Sequence, residues 1–140
     1  KPDAGYEYEG PIEDQPRNIS PCGIIGLKDS KIKNVTLENI DITFPGGGDP
    51  NYAHRGLDEL DKVPEMPKAY PEFSQHMELP AWGFYVRHVD GLTMSNITLK
   101  ALKKDYRIAI VLDDVARHKI NDLKVDETGG NNKDFIFEKE

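Results

Sequence analysis

The chain of 140 residues is acidic, with a net charge of −7 and a sequence pI near 5.1, and 37% of its residues are hydrophobic. Its length predicts a single domain, residues 1–140. The absence of a basic stripe argues against a nucleic-acid partner, because such partners present phosphates. No apolar run is as long as the stretch of about 18 residues that a membrane-spanning helix needs. The chain has a single cysteine, Cys22, which excludes an internal disulfide.

The first predicted repeat unit covers residues 35–42, contains short strands, and follows a short apolar run at residues 21–25. Apolar residues alternate with polar ones in two steps, Val35 and Leu37, then Ile40 and Ile42. A period of two with β-branched residues predicts strands. The Glu-Asn pair between the two runs is typical of a corner.

A segment rich in Pro, Gly and charge, residues 45–81, interrupts the array and is predicted to be a long inserted loop. Its aromatic and cationic side chains suit acidic sugars, because rings stack on pyranose faces and guanidinium groups bind carboxylates. The acidic run at residues 57–61 would instead repel uronates. The alternative, a cap on the fold or an interface, requires the same side chains. With the flanking tryptophan they are Tyr52, His54, Arg55, Lys62, Lys68, Tyr70, Phe73, His76 and Trp82.

Two later units repeat each other at a spacing of 26 residues, and the first unit matches the nearer of them at a spacing of 57. A period in this range indicates a solenoid, in which each repeat buries its apolar face by stacking on its neighbours. No long run keeps a helical period, so the pattern predicts an all-β parallel β-helix of about three to four coils. The matching apolar positions are Val86, Val89, Met94, Ile97 and Leu99, then Leu112, Val115, Ile120, Leu123 and Val125.

The spacing also predicts which side chains meet. Arg87 and Asp113 are expected to be oppositely charged cross-strand neighbours, and Asn39, Asn96 and Asp122 are expected to align at a corner where their side chains can hydrogen-bond. A step of 25 residues brings the last strand into the stack. The predicted inward-facing residues are Phe84, Val86, Ile110, Leu112, Phe135 and Phe137, and the outward-facing ones are Tyr85, Arg87, Val111, Asp113, Ile136 and Glu138.

Three stretches carry a resemblance to a known family: Tyr8-Glu9-Gly10-Pro11-Ile12-Glu13-Asp14-Gln15-Pro16-Arg17-Asn18-Ile19-Ser20-Pro21, Pro45-Gly46-Gly47-Gly48, and Leu79-Pro80-Ala81-Trp82-Gly83-Phe84-Tyr85-Val86-Arg87-His88. They resemble the C-terminal coils of bacterial glycoside hydrolase family 28, the polygalacturonase-like pectin hydrolases of Bacteroidetes. The resemblance extends over residues 6–127. It implies a right-handed parallel β-helix, a secreted or periplasmic location, and an acidic polysaccharide partner, galacturonan or rhamnogalacturonan.

The family hydrolyses such polymers with inversion, using an Asp as general acid and an Asp pair that activates water. The chain has neither the Asn-Thr-Asp nor the Gly-His-Gly element that accompanies this chemistry in the family. Asp113 and Asp114 are the weak catalytic candidates, and the residues 26 positions earlier are Arg87 and His88 rather than carboxylates. Consecutive strand residues also face opposite sides. We therefore expect the chain to contain no catalytic residue. The resemblance implies that it is the C-terminal β-helix portion of a pectin-type hydrolase and is inactive alone.

Tyr85, Arg87 and His88 are the candidate substrate-binding residues, because they form an outward strip that could contact a sugar. The alternative function is a non-catalytic carbohydrate-binding or structural β-helix module. The four histidines, His54, His76, His88 and His118, show no ligand spacing, so no metal and no cofactor are expected. A short solenoid leaves open ends, which predicts a homo-oligomer or the remainder of a longer β-helix.

Overall fold

A computed structural model describes residues 20–53, 55–68, 76, 78–128 and 134–140, and its main feature is a parallel sheet of five strands. Strand β3 is central: β1 and β2 pair with one of its edges, β4 pairs with the other, and β5 pairs with β4. The predicted all-β class and parallel pairing are confirmed. The strands are β1 (Cys22–Ile25), β2 (Ile32–Gly46), β3 (Ala81–Lys103), β4 (Ile108–Glu127) and β5 (Ile136–Lys139).

The register between the long strands follows the sequence repeat. Val86 lies beside Leu112 and Ile97 beside Leu123, as the spacing of 26 predicts. Leu37 lies beside Met94, as the spacing of 57 predicts. Each side chain therefore stacks on its equivalent in the next strand, so that apolar residues form columns along the sheet.

The long strands bend at residues with left-handed backbone, and these bends fall at equivalent positions. Asn39, Asn96 and Asp122 form one such column, with φ of 55°, 54° and 52°. Asn and Asp tolerate this conformation better than most residues. Asn96 Nδ2 donates to Asn39 Oδ1 at 2.9 Å, which confirms the predicted corner contact for this pair. The other columns are Asn34, Gly91 and Arg117, and His88 and Asp114.

The main core is the set of columns facing the inside of the bent strands. In the middle strand, Leu92, Met94, Ile97 and Leu99 are completely buried. Their equivalents in β2 and β4 are only half-buried but pack against the same cluster: Val35, Leu37, Ile40, Ile42, Ile120, Leu123 and Val125.

The inserted segment between β2 and β3 packs on the opposite face of the first part of β3. In its described part, it contains two short 3₁₀ helices, Pro50–Tyr52 and Leu57–Lys62. Leu60 and Val63 form a second buried cluster with Leu79, Ala81, Tyr85 and Val111. The insertion therefore covers this face as a cap. Among the described residues no helix has the length and apolar character needed to cross a membrane.

The start of the insertion is tied to the loop between β3 and β4 by a buried carboxylate. Asp105 Oδ2 accepts from the backbone N–H of Gly48 at 2.9 Å and from Arg107 Nη2 at 2.8 Å. The two side chains of this ion pair are 2% and 1% exposed. Burial acts to raise the pKa of Asp105, but the hydrogen bonds and charge of Arg107 outweigh it and leave that pKa lowered.

The prediction for the last strand is wrong by one residue. Ile136 lies beside Ile110 and Phe137 beside Val111, so the step is again 26 residues and not 25. Ile136 therefore packs in the main core, whereas Phe137 packs on the face with Tyr85. Strand β5 begins at Ile136, so the predicted inward residue Phe135 lies just before it, although it does pack against the main core. Because Phe135, Ile136 and Phe137 are all hydrophobic, alternation could not fix the register.

Candidate functional site

The structure brings the predicted site residues together where the insertion meets β3 and β4. Tyr85, Arg87 and His88 lie on β3, and Asp113 and Asp114 lie next to them on β4. Glu65 of the insertion contacts the same group. We call these six residues the polar cluster.

Arg87 and Asp113 form a buried ion pair in the centre of the polar cluster. Arg87 Nε lies 3.1 Å from Asp113 Oδ2, and the two side chains are 7% and 9% exposed. Arg87 Nη1 donates to the carbonyl oxygen of Val63 at 2.8 Å, so the insertion covers the guanidinium directly. The predicted cross-strand pair is therefore present, but as a buried contact between three elements.

Tyr85 completes the environment of the Asp113 carboxylate. Its hydroxyl donates to Asp113 Oδ2 at 3.4 Å, and Tyr85 itself is completely buried. Burial raises the pKa of Asp113, and the opposing charges of Arg87 and Lys139 offset this only in part. Burial, together with the charge of Asp113, also raises the pKa of Tyr85. Both groups thus favour their neutral forms more than the free side chains do.

His88 lies between two carboxylates at a bend of β3. Its Nδ1 is 2.7 Å from Asp114 Oδ2, and its Nε2 is 2.6 Å from Glu65 Oε1. A ring nitrogen that carries a proton donates to the carboxylate that it faces. His88 and Asp114 have φ of 54° and 57°, and this left-handed backbone breaks the alternation of side chains along both strands.

The carboxylates around His88 favour their ionised forms. The hydrogen bond with His88 lowers the pKa of Asp114 despite its partial burial, with a further contribution from Lys31, whose Nζ lies 3.1 Å away. Burial acts to raise the pKa of Glu65, but the hydrogen bond with His88 and the charge of Arg87 outweigh it and leave that pKa lowered.

Two adjacent carboxyl groups with pKa values shifted in opposite directions are what acid–base catalysis requires. Here Asp113 is the group with a raised pKa and Asp114 the one with a lowered pKa. Catalysis also requires substrate access, and the side chain of Asp113 is enclosed by Tyr85, Arg87 and the insertion. The same contacts bury the candidate substrate-binding residues Tyr85, Arg87 and His88, which are 0%, 6% and 5% exposed. The arrangement is therefore suited to holding the insertion on the sheet.

The Glu65 contacts predict a pH-dependent stability. A carboxylate whose pKa is lowered by folding stabilises the fold above its ordinary pKa of 4.5, and this contribution is lost as the pH falls through the lowered value. We expect Glu65→Gln to cost about 0.5–1 kcal/mol at pH 7, because Glu65 is a partly exposed ion-pair partner. The difference from the parent chain should disappear as the pH falls below 4.5, as measured by urea unfolding at several pH values.

Glu59→Gln is the matched control, because Glu59 lies in the same insertion and pairs with the mostly exposed Lys62. It should change the stability little at any pH. A loss in Glu65→Gln that stays constant between pH 7 and pH 3 would contradict the assigned contacts, since the parent chain would then gain nothing from ionising Glu65.

Sequence reasoning missed two features of this region. Glu65 has no periodic equivalent, so no sequence signal marked it as a partner of His88. The second is an Arg-x-Lys triplet, which is a further element of the resembled family. It can be read directly from the sequence as Arg117-His118-Lys119. Arg117 Nε donates to Asp90 Oδ1 at 2.7 Å, and its side chain is 68% exposed.

The remaining predicted residues are placed as follows. His118 Nε2 lies 2.8 Å from Glu138 Oε1. His76, in the insertion, is buried, and its backbone carbonyl accepts a hydrogen bond from Arg55 Nη1 at 2.6 Å. His54, Tyr70 and Phe73 lie outside the described residues. Within the described ranges, no group of three His, Cys, Asp or Glu side chains is arranged to hold a metal ion.

No known protein family, curated protein or solved structure matches the chain.

Proposed function

We propose that the chain is the C-terminal portion of a right-handed parallel β-helix in a pectin-type glycoside hydrolase, and that this portion is a scaffold without hydrolase activity of its own. The register of 26 residues that β3, β4 and β5 share, and the left-handed bends at equivalent positions, support a chain that turns in the same way in each repeat. The long insertion at residues 45–81 then projects from one of about three to four coils. The resembled family supplies the pectin-type substrate and the secreted or periplasmic location.

The observation that carries the scaffold role is the closed Arg87–Asp113 pair. Asp113 is the carboxyl whose raised pKa would suit a general acid, yet its Oδ2 already faces Arg87 Nε at 3.1 Å and Tyr85 Oη at 3.4 Å. Arg87 is in turn bound by the carbonyl of Val63. A glycosidic oxygen could reach Asp113 only after the insertion had left the sheet. These contacts therefore favour a structural use of the pair.

The test is hydrolysis by the isolated chain. We expect no release of reducing sugar from polygalacturonate or rhamnogalacturonan, and no difference between the parent chain, Asp113→Asn and Asp114→Asn. Reducing-sugar assays over several hours at pH 4–7 would measure this, with circular dichroism to show that each chain is folded. Hydrolysis by the parent chain that either substitution abolishes would overturn the scaffold role.

The second candidate is a carbohydrate-binding module, which the exposed cations of β4 favour. Arg117, Lys119 and Lys124 are exposed, and cationic side chains bind the carboxylates of uronic acids. Calorimetry with galacturonan and rhamnogalacturonan oligomers separates the two candidates. If the parent chain releases heat on binding an oligomer and Arg117→Gln does not, the result supports a carbohydrate-binding module. If none of these oligomers gives heat with the parent chain, that function is eliminated.

A further inference from the structure

The two outer long strands leave the main core open. In the middle strand Met94, Ile97 and Leu99 are completely buried. On either side, the equivalent residues are only half-buried: Leu37, Ile40 and Ile42 on β2, and Ile120, Leu123 and Val125 on β4. Each apolar column therefore continues to the surface at both ends of the stack.

The end formed by β4 also has a free backbone edge. Strand β5 pairs with β4 only from Ile110 to Asp113. Among the described residues, no strand pairs with the outer edge of β4 at residues 115–127. An unpaired edge beside half-open core is a template for another strand.

The strand that fits this edge is β2 of a second copy. Both β2 and β4 are in register with β3, so a second β2 placed one repeat beyond β4 sets Leu37 beside Ile120 and Ile42 beside Val125. In the same register, Asp41 would lie beside Lys124, because both pair with Thr98. Both charged residues are exposed, so the two surfaces match at these apolar positions and at this one charged pair.

Strand β5 occupies a position that this second copy needs. Strand β1 lies in the same layer as β2, and Cys22 is the equivalent of Ile110 in register with Phe84. The β1 of an incoming copy would therefore take the place of Ile136–Lys139 beside Ile110–Asp113.

The resident β5 is the better occupant of this position. Phe137 packs in the cluster of Tyr85 and Val111, and the residue of β1 at the same register position is Gly23, which has no side chain to fill that space. Lys139 lies beside Asp113, and its positive charge opposes the rise in the pKa of that carboxyl. In β1 the equivalent residue is Ile25, which has no charge to offer.

We propose that β5 is a strap that keeps copies of this chain apart by occupying the position of an incoming β1. When β5 is released, β2 of one copy pairs in parallel with the free edge of β4 in the next copy. This contact is head-to-tail and does not close on itself, so it builds linear assemblies. The inference concerns the chain of 140 residues by itself, because in a longer β-helix a preceding coil would take the edge of β2 that this contact uses.

The first experiment releases the strap in the full chain. Phe137→Asp removes the aromatic anchor of β5, and we expect the average mass in light scattering to rise with concentration. The parent chain and the control Glu140→Gln, which changes an exposed residue just after β5 and keeps the anchor, should remain monomeric at the same concentrations. If Phe137→Asp unfolds, as judged by circular dichroism, Phe137→Gly takes its place, because it reproduces the residue that β1 carries there.

The second experiment tests the register by exchanging charges in the released variant. Lys124→Asp or Asp41→Lys alone should raise the dissociation constant about tenfold, because a favourable pair becomes a like-charged one. An equal mixture of the two should regain part of the association, since each interface then joins opposite charges. A folded, released variant that stays monomeric would overturn the proposal. The proposal would also be overturned if neither charge reversal weakened the association, or if mixing the two variants did not restore part of it. Hydrolysis assays are unaffected by any of these outcomes, so the two proposals fail separately.

Discussion

Arg87→Met is expected to destabilise the fold by about 3–5 kcal/mol, the usual result of removing one partner from a buried ion pair. The guanidinium faces Asp113 at 3.1 Å, and both side chains are less than one tenth exposed. Methionine fills much of the space but supplies no charge and no donor. Asp113 would be left buried beside the hydroxyl of Tyr85, and the Val63 carbonyl would lose its hydrogen bond. The midpoint of urea unfolding measures the loss.

The double variant Arg87→Met with Asp113→Leu is the control for this mechanism. It removes the uncompensated charge together with its partner, so it should be more stable than Arg87→Met alone. A single variant that loses less than about 1 kcal/mol, the size of an exposed pair, would contradict the buried contact.

Ile97→Ala is expected to cost about 2–5 kcal/mol, because it leaves a cavity in the middle of the core. Ile97 is completely buried between its equivalents Ile40 and Leu123. Ile40→Ala removes the same atoms in the same column, but from a half-buried position where water fills part of the space. We expect it to cost about half as much, with both variants measured by the same urea unfolding experiment. Equal losses at the two positions would contradict the open end of the stack.

The repeat allowed much of the fold to be predicted because neighbouring strands are equivalent in sequence. The pairs Val86 with Leu112 and Asn39 with Asn96 follow directly from the spacings of 26 and 57. Period-two alternation then identified which residues face the core. The same spacing of 26 also gives the register of β5. Alternation alone does not, because Phe135, Ile136 and Phe137 are all hydrophobic and satisfy either choice.

The polar cluster was predictable only in part. The repeat placed Arg87 beside Asp113 and His88 beside Asp114, since each pair is 26 residues apart. It gave no information about Glu65 or the carbonyl of Val63, which belong to a segment without a repeat. The burial of Tyr85 and Arg87 comes from that segment, so its contacts could not be inferred from period and charge alone.

The parallel register has a consequence for the order of folding. Each contact between β3 and β4 closes a loop of 26 residues, whereas each contact between β2 and β3 closes one of 57. The longer closure costs about 0.6–0.7 kcal/mol more in chain entropy. We infer that the β3–β4 pair forms first and that β2 joins it later. Because all of these contacts are distant in sequence, the chain belongs to the topologies that fold slowly.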